Sequence, residues 1–348
     1  MPFKFNAARC HRIPRARYRV TNWPAYEASL RRRGALTLWL DEAALAGWAA
    51  PKRSSPRGRP LYSDLAIELV LTLRLVFRLA LRQAEAFCRS VLGLLGLALP
   101  APDHSTLGHR GQAFAGCQPR VQASTGPIYL VLDSTGLELF GQGEWDAEKH
   151  GRARRQWRKL HGDSFAVLLP ADRFAMGVDA GIGETAMHML TDRHADDAAQ
   201  VPALLGQVEG GIVSVTADHA YDGEPTYAAA VARQRHPPPD VVVPPRASAV
   251  PSSDGSDGAS QSPCDRHIQL AEPRGSPGMA ECGRMGWQQV TGYGRRNQAE
   301  KATALYKHLI GPKLRARSLP AQRGEGAIAV AAPNQMIPTA KPLCVWVA

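Results

Sequence analysis

Several things are scarce in this chain. Its 348 residues hold six cysteines, at 10, 88, 117, 264, 282 and 344, and no two form a CxxC pair. Gaps this wide and irregular match no zinc pattern, so structural zinc and disulfides are set aside in favour of unpaired thiols in a reducing compartment. A long uncharged apolar run is missing too. The longest apolar region, 65–99, is interrupted by Arg74, Arg78, Arg82, Glu85 and Arg89; that spacing suits amphipathic helices and excludes a membrane span. Arg12, Arg15, Arg17 and Arg19 are followed by no apolar segment, so no secretory signal is expected and the expected location is the cytoplasm.

What is present is a strongly uneven charge. The net charge is +11, and residues 1–60 hold 13 Lys and Arg against Glu27, Asp41 and Glu42, while the rest carries 29 bases and 28 acids. A basic N-terminal section on a nearly neutral body is the electrostatic footprint of a phosphate-seeking module joined to another domain.

Local patterns divide the chain further. Ser63-Asp64 reads as a helix start, with Leu65, Leu69, Leu73 and Val76 at helical spacing, and a second helix is expected from Leu81 to about Gly96. Pro100 and Pro102 stop it, and Asp103-His104-Ser105-Thr106 supplies cap formers for a short segment ending at His109 and Arg110. Two helices, a turn and a short basic helix resemble a helix-turn-helix with the last helix as DNA reader; ordinary three-helix packing gives a similar pattern. From 128 onward, strands begin. The run 128–132 ends at Asp133, with a return strand expected over 137–140, and 211–216 leads to Asp218. Helices expected at 196–208 and 224–235 and a short strand at 241–243 complete an α/β core. Residues 244–283 are rich in Ser, Gly, Pro and Asp and read as a flexible insert.

Acids placed after buried strands suit a site, because ligand sites in α/β cores gather at strand ends. Asp133 and Asp218 share that placement, although a strand-ending Asp is also a common turn former. A third acid, Glu300, belongs to a set at offsets 0, 3, 7 and 14: Tyr293, Arg296, Glu300 and Lys307. On a continuous α-helix these fall within a stripe of roughly 60°. An acid flanked by bases on one face suits a site that takes metal and phosphate together; a solvated charged face is the alternative.

Tyr293-x2-Arg296-x3-Glu300-x6-Lys307 resembles the Y-R-E-K signature of bacterial insertion-sequence transposases of the DDE type. Other stretches are similar to that family and follow its order: Asn22-Trp23-Pro24-x-Tyr26, Arg57-Gly58-Arg59-Pro60, Pro102 to Leu107, Val131 to Leu137, Gly143-Glu144-Trp145, Trp157 to His161 and Asp218 to Asp222. The resemblance spans roughly 18–345. It implies an RNase H-like mixed sheet flanked by helices, an α/β fold preceded by a helix-turn-helix-like helical domain. The implied division is a basic arm and helix (1–56), a DNA-binding domain (57–120), a catalytic domain (121–325) and a C-terminal tail (326–348). It also implies two Mg²⁺ ions, for which Mn²⁺ can substitute, held by Asp133, Asp218 and Glu300. Asp133 would bridge them, with Asp218 and Glu300 completing one shell each. The chemistry implied is hydrolysis at the transposon end, followed by attack of the freed 3′-hydroxyl on target DNA. The implied partners are double-stranded DNA, as terminal inverted repeats and target, and further copies of the chain assembled on it. Expected phosphate and DNA contacts are Tyr293, Arg296, Lys307, Arg57, Arg59, Ser105, Thr106, His109, Arg110, Arg158 and Lys159, with Arg152, Arg154 and Arg155 in the same basic cluster.

Three departures from the family pattern are features a decaying copy would accumulate. All three acids are present, so an active transposase is the leading reading, and a decayed or co-opted copy acting only as a DNA-binding protein is the alternative. Residues 162–176 read as an insertion at a strand junction, 273–280 as extra loop, and Pro333 and Pro338 as breaks in the last helix. His219 stands where the family has glycine, and Asp222-Gly223 reads as a structural turn.

Overall fold

In a computed structural model the described residues are 17–36, 39–40, 42–51, 60–116, 128–140, 157–167, 185–234, 237–245, 266–267, 284–336 and 342–347. Strand β1 (Arg17–Val20) is followed by helices α1 (Trp23–Arg33), α2 (Glu42–Ala46), α3 (Asp64–Val76), α4 (Leu81–Leu94) and α5 (His104–Gly111). The expected starts are found. The Ser63 hydroxyl accepts from the Ala66 amide, and the Asp103 carboxylate accepts from the Ser105 and Thr106 amides, satisfying donors that a helix N-terminus leaves free.

After a 3₁₀ turn at Gln112–Gly116 come β2 (Ile128–Leu139), β3 (Trp157–Val167), β4 (His188–Asp192), α6 (Asp197–Leu205), β5 (Ile212–Thr216), α7 (Glu224–Arg233) and β6 (Asp240–Val242). The chain ends in α8 (Arg284–Thr291), a 3₁₀ turn (Tyr293–Arg296), α9 (Asn297–Leu309), β7 (Lys313–Leu314), α10 (Leu319–Met336) and β8 (Cys344–Val347). The main sheet is mixed, in the order β4-β3-β2-β5-β6 with β7 also on β2, and helices flank it. A separate antiparallel pair joins β1 to β8, Arg17 opposite Val347.

Four expectations need correction. Residues 128–132 and 137–140 are not a strand and its return, because β2 runs unbroken through Asp133 and pairs with β3 from Ile128↔Val167 to Glu138↔Trp157. The expected insertion at 162–176 is corrected in part: 162–167 extend β3 opposite 128–133 as regular ladder, and 168–176 lie outside the described residues. Pro333 does not break the last helix. It sits inside α10, whose buried packing outweighs one lost backbone bond. Nor are 326–336 part of a tail: Ile328, Ala329, Val330, Ala332 and Met336 are buried in a core with α3, α4 and α5.

Pleating divides β2 between two cores. Ile128, Leu130 and Leu132 pack with α6, α7 and β5 on one face, whereas Leu137 and Leu139 join the helices α2–α5, α9 and α10 on the other. Gly324 brings α10 onto the end of α5: a Cβ there would stand 2.0 Å from the Gly111 carbonyl oxygen. Residues 52–59, 117–127, 141–156, 168–184, 246–265, 268–283 and 337–341 lie outside the described residues. With them go the basic stretch holding Arg57 and Arg59, the cluster Arg152–Arg155, Gly143-Glu144-Trp145, most of the expected insert and Pro338.

Candidate active site

The sheet opens at one point. Along one edge of β2, parallel β5 pairs as far as Val131↔Thr216, and β7 takes over at Glu138↔Lys313. Asp133 lies in the interval between them. It stands two residues past Val131, as Asp218 stands two past Thr216, and equal offsets on parallel neighbours set the two carboxylates level. Asp218 caps the 3₁₀ turn His219–Tyr221, accepting from the Ala220 amide at 3.0 Å, which fixes its carboxylate at the end of β5. His219 is exposed.

The third acid arrives from α8–α9. Gly292, at φ 67°, turns the chain in a left-handed conformation that favours glycine, and Tyr293–Arg296 then wind as a 3₁₀ turn into α9. The four-residue stripe is therefore not one α-helical face, since its first two members belong to the tighter turn. Arg296 nonetheless reaches all three acids. Its guanidinium lies 3.5 Å from Asp133 Oδ1, 3.6 Å from Asp218 Oδ2 and 2.9 Å from Glu300 Oε1. The Asp133 side chain is 15% exposed and that of Glu300 56%.

Electrostatics follow from this crowding. Burial holds the Asp133 carboxyl above its ordinary range; Arg296 pulls it down, while Asp218 and Glu300 push it further up. Burial works against the Arg296 charge, yet Tyr293, Asp133, Asp218 and Glu300 more than offset it and keep the guanidinium firmly protonated. Among the described residues, no three His, Cys, Asp or Glu side chains are grouped closely enough to hold a metal ion. The acids converge on Arg296 instead. Their chemistry still fits hard divalent cations, because all three supply carboxylate oxygens.

Below the acids lies a buried polar network that the sequence did not reveal. His161 is fully buried, with Nε2 2.9 Å from the Thr191 hydroxyl and Nδ1 3.4 Å from Asp197 Oδ1 and 3.5 Å from the Tyr221 hydroxyl. Lys159 donates to both Asp197 oxygens at 3.2 Å and to the Ala195 carbonyl. Burial lowers the His161 pKa, with Asp197 raising it and Lys159 lowering it again.

A second chain of contacts supports Tyr293. Its ring packs on Trp287 at 5.0 Å, and the Trp287 indole donates to His267 Nδ1 at 3.2 Å. His267 Nε2 lies 2.6 Å from the Val241 carbonyl, which sets the neutral tautomer with the proton on Nε2. His267 is buried, although it falls within the expected flexible insert. Arg295 lies over the Tyr129 ring at 4.6 Å.

The remaining expected contacts are placed as follows. The Ser105 and Thr106 hydroxyls donate to Asp103, Arg110 folds back onto Asp64 and the Tyr62 carbonyl, and His109 is exposed. Arg158 pairs with Asp192 at 2.9 Å, Lys159 points to Asp197, and Lys307 is half-buried further along α9. The Asp222 carboxylate accepts from the Tyr227 hydroxyl at 3.3 Å.

Fold and site together define a mixed α/β protein with an acidic triad at the opening of its central sheet. Residues 31–142 match the family model of a transposase DDE domain, a stretch running from the end of α1 past β2 and including Asp133. That match supports a DDE transposase, and the six-stranded mixed sheet flanked by helices is consistent with an RNase H-like DDE domain. No solved structure matches the chain. Among the described residues, no helix is long and apolar enough to cross a membrane.

Proposed function

We propose that this chain is an insertion-sequence transposase that binds the terminal inverted repeats of its element, cuts phosphodiester bonds there and joins the freed 3′-hydroxyls to target DNA. The observation that carries this reading is the convergence of Asp133, Asp218 and Glu300, from three separate elements, onto one guanidinium. Such a set of carboxylates would hold two Mg²⁺ ions, or Mn²⁺ in their place. Bound there, the metals would activate the attacking oxygen and neutralise charge on the leaving one.

The protein's own groups do the rest. Asp133 and Asp218 are fixed by the strand register, and Glu300 by the first turn of α9. Tyr293, held by Trp287 and His267, presents a ring beside the acids for contact with DNA. Arg296 and Lys307 supply positive charge for phosphates, and α5 with the basic N-terminal section binds the duplex. Two observations support an intact catalytic sheet: 162–167 continue β3, and α10 runs on through Pro333 to Met336.

The test uses the full chain, a duplex carrying a repeat from the flanks of the gene, and Mg²⁺. Wild type is expected to nick at the repeat end, and Asp133→Ala to bind the duplex equally well without nicking. If both bind and neither nicks, the catalytic reading fails and a co-opted DNA-binding protein stands in its place.

A further inference from the structure

Arg296 stands where the fold would gather cations. One guanidinium contacts all three acids at 2.9–3.6 Å, a place that three anions would otherwise leave strongly negative. We infer that Arg296 is the resident counter-cation of the metal-free triad, and that a divalent metal and this guanidinium exclude one another. Loading the site then releases the arginine, freeing its charge for a DNA phosphate at the moment the acids become occupied. The inference rests on the triad being the metal site proposed above.

Three observations favour a seat that can be vacated. The Arg296 Nε is buried with no hydrogen-bond partner among the described residues, so the fork is only partly satisfied where it lies. The residue also occupies the cap position of α9, where a helix presents its positive end and disfavours a cation. What retains it is the carboxylate charge, and a divalent ion offers those carboxylates twice that charge. In addition, Glu300, its closest partner, is more than half exposed and can turn with the arginine or without it.

The experiment measures Mn²⁺ binding to the full chain in the absence of DNA, by calorimetry and by the electron-spin resonance signal of free Mn²⁺, together with thermal melting with and without the ion. Arg296→Gln is expected to bind Mn²⁺ about tenfold more tightly than wild type, because a unit positive charge has been removed from the ion's immediate surroundings. Its metal-free form should melt at a lower temperature than wild type, and Mn²⁺ should raise its melting temperature by more. Arg296→Lys keeps the charge on a head group that cannot fork to three acids, so its affinity should fall between the two; it also serves as the test if the Gln variant does not fold. Asp133→Asn is the control that identifies the site. If Asp133→Asn abolishes binding but removing or shortening the arginine leaves the affinity equal or weaker, the competition is refuted while the metal site stands. If no protein shows Mn²⁺ binding sensitive to Asp133→Asn, the triad reading itself fails, and the inference with it.

Discussion

His188 makes a sharp test of how burial sets the acid limb of stability. It lies on β4, 8% exposed, with Nδ1 buried and no hydrogen-bond partner among the described residues. Burial alone pulls its pKa from 6.5 down to about 4. The unfolded chain therefore takes up a proton below pH 6.5 that the folded chain refuses until about pH 4. Stability is at its full value above pH 6.5 and falls as the pH drops through that window. One proton over this interval, at about 1.4 kcal/mol per pH unit, amounts to roughly 3 kcal/mol. Replacing the ring by leucine removes the titration and keeps an apolar filler of similar reach. Urea melts followed by tryptophan fluorescence at pH 7 and pH 4 should show wild type losing about 3 kcal/mol more than His188→Leu between the two conditions. Asp133, whose pKa is raised by burial, acts in the opposite sense in the acid range; it is common to both proteins and cancels in the difference. If the two proteins lose stability in parallel to within about 0.5 kcal/mol, His188 is not held neutral by burial and the reasoning fails.

Asp197→Asn should cost about 2 kcal/mol in the same melts, because it strips Lys159 and His161 of their anion, with Lys159 partly relieved by water; adding Lys159→Met should recover part of the loss. Gly324→Ala should destabilise by about 2 kcal/mol or more, since its methyl meets the Gly111 carbonyl. Gly326→Ala on the same helix meets nothing within 4 Å and should stabilise by about 0.5 kcal/mol, so equal effects at the two positions would refute the close-approach argument. Asp103→Ala should cost about 1 kcal/mol by freeing the first amides of α5, and hydrogen exchange of Ser105 and Thr106 would report it. Trp287→Leu should weaken DNA binding measured by fluorescence anisotropy while leaving the Asp133-dependent Mn²⁺ affinity unchanged, because Trp287 supports Tyr293 and touches none of the acids.

Much of this protein was legible without its fold. Helix starts at Ser63 and Asp103, the strands before Asp218 and at 128–132, and the α9 region all depend on contacts a few residues apart, which local sequence encodes. The resemblance carried the three acids, which individually are ordinary residues. What tertiary structure decided is different in kind. No local signal distinguishes a strand that ends at Asp133 from one that runs on to Leu139, because the answer lies in β3 pairing along its whole length. None shows that Pro333 is tolerated, since only burial of α10 against the other helices compensates the missing bond. His161, Asp197, Trp287 and His267 gain their roles from partners up to 60 residues away. Arg296 is the clearest instance: its spacing from Glu300 was in the sequence, but that one guanidinium faces all three acids follows from a parallel strand register and a left-handed glycine turn. Charge arranged by distant segments is invisible to spacing, because the distances that set it exist only once the sheet has formed.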